Sequence, residues 1–228
     1  MFLQTDRHVV FGRVRRIAFR VAIAAASLFV LVTLLPAYPL VVINWFPQDA
    51  FLAVRADLVP GDEAHRLHSL ALGVIAWGML VGIVLQAHRP ERKISALLAS
   101  FAVPIAIAVS EMMVGTYIVV GTAPFLVLIL MVLVLHPSAG NILHLPGWNL
   151  PMLGLAAAAA LPWIVYVAHI REAAYHVEAG FEVDHLTFTS ALALLAILWG
   201  IIGASKGAGW QYAAGASMVA TASIGLQL

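Results

Sequence analysis

The 228 residues include no cysteine, and charge is scarce: 12 Lys and Arg with 11 Asp and Glu make up only 10% of the chain. Without a thiol there is no disulfide, thiolate metal site, iron–sulfur cluster or cysteine nucleophile. The redox compartment stays open. Soluble domains are about 25% charged and about 45–50% apolar. This chain is 63% hydrophobic, which excludes a soluble globular protein, a disordered segment and a nucleic-acid binder with a basic patch. The composition predicts an all-α, polytopic membrane bundle in the lipid bilayer.

Seven stretches approach the roughly 20 apolar residues that cross about 30 Å of hydrocarbon. They are 20–43, 67–87, 94–119, 123–135, 150–168, 186–204 and 209–228. The fourth is short and borrows residues from a turn at 119–121. The first follows a basic segment, as a signal peptide would. Its apolar run is too long and no Ala-x-Ala-like site follows, so it reads as an uncleaved anchor.

Lys and Arg orient the bundle. With the N-terminus cytoplasmic, the inner segments hold Arg7, Arg13, Arg15, Arg16, Arg20, Arg89, Arg92, Lys93 and Lys206, nine of the twelve cations. Eight of the eleven carboxylates fall on the outer side: Asp49, Asp57, Asp62, Glu63, Glu172, Glu178, Glu182 and Asp184. Trp45, Trp148 and Trp210 sit where an aromatic belt is expected. The expected location is a plasma or inner cell membrane, crossed several times.

Residues 70–78 and 192–200 match at six of nine positions, with an offset of 122 that also pairs Asp62 with Asp184. One reading is a parallel duplication, with halves 17–121 and 145–228 around a linker span at 122–136. Such repeats occur in transporters. The other reading is the chance similarity of two Ala/Leu-rich helices. Paired Gly/Pro-interrupted helices, the mark of a midplane transport site, are not found.

Nine histidines are many for so few charges. His65, His68, His169, His176 and His185 fall on the outer side, and histidine ligates zinc, copper, iron and haem. His65 and His68 are three apart and share a helical face. His169, Glu172 and His176 form a stripe that sets a carboxylate between two imidazoles. His185 opens the sixth span in the position repeat-related to the Asp62–His65 segment. These nitrogen and oxygen donors suit zinc, copper(II) or non-haem iron. The plainer account makes them interface residues, with Asp62 and Asp184 capping helices.

Glu111 lies inside the third span, and an ionisable group at membrane depth is a functional-site hypothesis by default. It is about 25 Å from the inner end of its helix, beneath the outer histidines. Three roles fit: metal ligand, proton-transfer group, or protonated carboxylic acid bonded to Ser110 or Thr116. Elsewhere the signals are structural. Pro104 and Pro162 kink helices; Trp77 and Trp199 pack in the core or against lipid; His136 and His144 frame an ordinary turn. Lys206 sits in a turn rather than mid-span, which excludes a retinal Schiff base.

Three functions follow. The favoured one is a membrane-embedded metal- or haem-binding protein, an oxidoreductase or hydrolase in reaction class, using His65, His68, His185, His176, His169, Glu172 and Glu111. A second is a small-solute or proton-coupled transporter or channel in which Glu111 carries the proton. A third is a structural or accessory subunit that packs against partner membrane subunits or copies of itself.

Overall fold

Seven helices make up the described residues of the computed structural model, which cover 3–34, 63–114, 119–142, 147–174 and 181–225. Side chains are described over 13–33, 70–113, 123–140, 142, 147–169, 172 and 186–225. The helices are α1 (Leu3–Leu34), α2 (Glu63–Val84), α3 (Ile94–Val114), α4 (Val119–Leu135), α5 (Leu150–Ala174), α6 (Phe181–Ala204) and α7 (Trp210–Gly225). Long apolar runs dictate this outcome, because a backbone in lipid must satisfy its own hydrogen bonds and a helix does so within one segment.

The boundaries depart from the sequence reading in places. Within the described residues the membrane-length part of α1 is Arg13–Thr33, which overlaps the expected span 20–43. Arginine, leucine and alanine are strong helix formers, so the basic flank continues the helix instead of preceding it. α1 is described as far as Leu34. Residues 35–43 lie outside the described residues. Positions 119–121, read as a turn, form the first turn of α4. α6 begins at Phe181, so Glu182, Asp184 and His185 are helical.

Seven spans were expected; the described residues form seven helices, five of which are long and apolar enough, by length and composition, to cross a membrane. α4 has 17 described residues and α7 has 16, and each borders residues outside the described ones.

The turns identify a common end. Arg15 donates to the carbonyls of Val134 and His136, joining α1 to the end of α4. The Ser95 N–H bonds the Ala208 carbonyl, and the Asn149 N–H bonds the Ala204 carbonyl. Arg13, Arg15, Arg16, Arg20, Arg89, Arg92, Lys93 and Lys206 therefore gather at one end of the bundle, which is its basic end. The opposite end carries Glu63, Glu172, Glu182 and Asp184 and is its acidic end.

α6 is the central helix, packed against α2, α3, α5 and α7. Ala191, Leu192, Leu195 and Trp199 are buried there against Ala99, Ala102, Val103 and Ala106 of α3. The Trp199 indole N–H donates to the Ala99 carbonyl at 2.8 Å. The Ser100 hydroxyl donates to the Met79 carbonyl at 3.0 Å and so fixes α2 against α3. A Cβ on Gly82 would lie 2.6 Å from the Ala96 carbonyl oxygen, so only glycine permits this approach. The tryptophans at the offset of 122 differ: Trp199 is fully buried, whereas Trp77 is 51% exposed. α2 borders the surrounding medium on that face, and α6 does not.

Candidate functional site

Glu111 is 2% exposed, near the acid-end terminus of α3. Two hydrogen bonds fix its neighbours by register. Eleven residues separate Ser100 from Glu111, and eleven separate Met79 from His68. In antiparallel helices rising about 1.5 Å per residue, both pairs travel about 16 Å toward the acidic end. The backbone of His68 is thus level with that of Glu111. At about 100° per residue, eleven residues also return Glu111 to the face of Ser100, the face turned to α2.

The Trp199–Ala99 bond gives the register on the other side. Twelve residues beyond Ala99 is Glu111, and twelve before Trp199 is Thr187. Thr187 is buried at the level of Glu111, with Ser190, whose hydroxyl donates to the Thr187 carbonyl, one turn below. The backbone of His185 is about 3 Å above this level and that of His65 about 4.5 Å above it. Because α2, α3 and α6 all pack on one another, one end of a three-helix contact gathers His65, His68, Glu111 and His185 within about one helical turn.

The remaining expected ligands sit apart. His169 and Glu172 are on the last turns of α5, on one side as their spacing requires, and both are exposed. α5 packs chiefly on α6, on the periphery of the bundle. His176 lies outside the described residues, as does Thr116. The side chains of His65, His68 and His185 also lie outside them. Among the described residues, no three His, Asp or Glu side chains converge as metal ligands.

The expected Ser110–Glu111 hydrogen bond is not made: the buried Ser110 hydroxyl has no partner among the described residues. Glu111 faces α2 instead. Of the two partners expected for a protonated Glu111, Ser110 is thus not engaged, and Thr116 lies outside the described residues.

At the basic end the sequence reading missed a residue. His136, taken as part of an ordinary turn, is fully buried just past α4, with Phe19 edge-on at 5.2 Å. Its Nδ1 accepts the Ser138 N–H at 3.1 Å, so the proton of the neutral ring is on Nε2. Nε2 lies toward the Pro90 carbonyl without reaching hydrogen-bond geometry. Burial holds the imidazole pKa below 6.5; the Pro90 carbonyl and Glu91 oppose that shift and Arg15 reinforces it. The only sequence signal was a histidine directly following an apolar span. Its partner turn is 46 residues earlier in the chain, beyond the reach of any local pattern.

Comparison with known protein families, with curated proteins and with solved structures gives no match.

Proposed function

We propose that this integral membrane protein binds a transition-metal ion at the acidic end of its bundle, with His65, His68, Glu111 and His185 as the ligand set. The observation that carries the reading is the register. A carboxyl buried in a membrane helix stands level with a histidine of the adjacent helix, and two more histidines lie within a turn. A carboxylate at membrane depth is a functional-site candidate, and a bound cation is one group it can serve. Three imidazoles and one carboxylate suit zinc, copper(II) or non-haem iron. Thr187, Ser190 and Ser110 are close-packed around this level and favour a single ion over a porphyrin. His169, Glu172 and His176 then serve the solvent side of the site, as outer ligands or proton-transfer groups.

The carrier reading requires a watery path between the two halves to Glu111. The α3–α6 contact is closed by buried alanine and leucine. A cavity of about 530 Å³ does lie between α2, α6 and α7, but apolar side chains such as Trp77, Trp199 and Val219 dominate its walls, and Glu111 is not among them. These observations favour the metal.

Elemental analysis of the purified full-length protein tests the proposal. It predicts one equivalent of a first-row metal, lost in Glu111→Gln and in His68→Ala while both variants remain folded. Metal retained by both variants would refute it, and so would a haem absorption band in place of a metal ion.

A further inference from the structure

The apolar cavity of about 530 Å³ between α2, α6 and α7 is a groove that follows the membrane-spanning part of the bundle. Leu70, Val74, Trp77 and Val81 line it from α2, at spacings of four, three and four that keep them on one helical face. From Leu70 to Val81 the helix rises about 16 Å, all of it inside the apolar span Leu70–Ala87. Gln211, Gly215 and Val219 follow one another at successive turns of α7, and the buried Trp199 of α6 forms the floor.

Glycine keeps the groove open. A Cβ on Gly78 would lie 2.5 Å from the Trp199 ring, so the indole reaches α2 only because that position has no side chain. A Cβ on Gly215 would meet nothing within 4 Å. The polar groups of the aromatic walls are used within the protein. The Tyr212 hydroxyl donates to the Gly78 carbonyl, and the Trp199 indole N–H donates to the Ala99 carbonyl. Gln211 is an exposed amide at the basic end of the groove. Trp77 and Val219 are both half exposed, so the groove opens sideways to the bilayer.

Its proportions select the occupant. A volume of about 530 Å³ along about 16 Å gives a section of about 30 Å². A helix with its side chains is about 10–12 Å across, a section of about 80 Å² or more, and does not fit. A single extended hydrocarbon chain does fit, and the bilayer supplies one at the lateral opening. Between apolar groups in lipid, packing is what holds partners together, and walls without partner atoms forfeit their dispersion contacts. We infer that the groove binds one acyl chain of a phospholipid, with the headgroup beside Gln211 at the basic end. The site is independent of the metal proposed at the acidic end.

A phosphatidylcholine with a diazirine at the end of one acyl chain tests this, at trace level in phosphatidylcholine vesicles that hold the full chain. Light converts the diazirine to a carbene, which inserts into the residues nearest the chain end. α5 is the reference for unselective contact, because only 6% of its span is buried and its Leu155 and Leu161 are more exposed than Trp77, Val81 or Val219. The groove residues of α2 and α7 are expected to take more label than α5 despite their lower exposure. This comparison needs no variant. Gly215→Leu fills the groove and should bring that label down to the level of α5. Gly154→Leu adds the same bulk to the open face of α5 and should leave the groove label unchanged. Mass spectrometry after detergent exchange should find one retained phospholipid in the wild type and in Gly154→Leu, and none in Gly215→Leu. Label highest on α5 would overturn the inference. So would groove label that persists in a folded Gly215→Leu, or a polyprenyl compound retained in place of the phospholipid.

Discussion

His136 shows how one side chain becomes pH-sensitive through burial alone. Its ring is wedged beside Phe19 and under the 85–92 turn, with Nδ1 already occupied by the Ser138 N–H. Protonation would place a charge where water cannot reach it, near the Arg15 guanidinium. The folded-state pKa is therefore below the unfolded value of 6.5, and the unfolded chain binds the proton more tightly. Stability from the neutral ring is complete above pH 6.5 and is lost as pH falls from there through the folded-state pKa. We expect the unfolding midpoint to drop on acidification from pH 7, with a shallower drop in His136→Asn, whose amide oxygen can still accept the Ser138 N–H. Identical pH profiles for the two proteins would remove His136 from the account. Trp199 offers a second test at this scale. Trp199→Phe fills most of the indole space but removes the N–H donated to the Ala99 carbonyl, and a loss of about 1 kcal/mol in unfolding free energy is expected.

Among the helices, the closest approach is that of α2 and α3 at Gly82. Gly82→Ala places a methyl against the Ala96 carbonyl, which belongs to helical backbone and cannot rotate away. We expect a destabilisation of about 1–3 kcal/mol, the range for overpacking, measured by denaturant unfolding in mixed micelles. A neutral effect would mean the two helices have room to part. At this scale the sequence is a good guide to which segments are helices and a poor one to where they begin. The apolar runs mark all seven, because length and hydropathy are local properties. The start of α1 was obscured because arginines look like a flank, although they propagate a helix well. Facing was not legible, since in lipid the outer face of a helix is as apolar as its inner face. Trp77 and Trp199 occur in matching motifs, yet one is half exposed and the other is core. Contacts such as Trp199–Ala99 join residues 100 positions apart and leave no trace in local periodicity.

The whole molecule is divided by charge into a basic and an acidic end, and this was readable from where Lys and Arg fall. The absence of cysteine makes the division easy to test. Single cysteines at Lys206 and Glu172, both exposed, are expected to react with an impermeant maleimide from opposite sides of sealed vesicles. Labelling of both from one side would contradict the topology. The histidines expected at the acidic end stand out in the sequence by residue type alone, and among the described residues no metal-ligand group forms. Their relation to Glu111 was not legible, because it depends on the register of three helices, set by Ser100 and Trp199 some 16–18 Å away along their axes. His169 and Glu172 showed the limit of spacing arguments: they share a face as expected, but that face is exposed.

The central claim is that the histidines of α2 and α6 and Glu111 of α3 together hold one metal ion. X-ray absorption at the metal edge of the purified, metal-loaded protein tests this most directly. The account predicts a nitrogen and oxygen shell at about 2.0–2.1 Å if the ion is zinc, with the outer-shell scattering of imidazole reduced in His68→Ala. A shell of oxygen alone, without imidazole scattering, or a spectrum unchanged in both His68→Ala and Glu111→Gln, would contradict it.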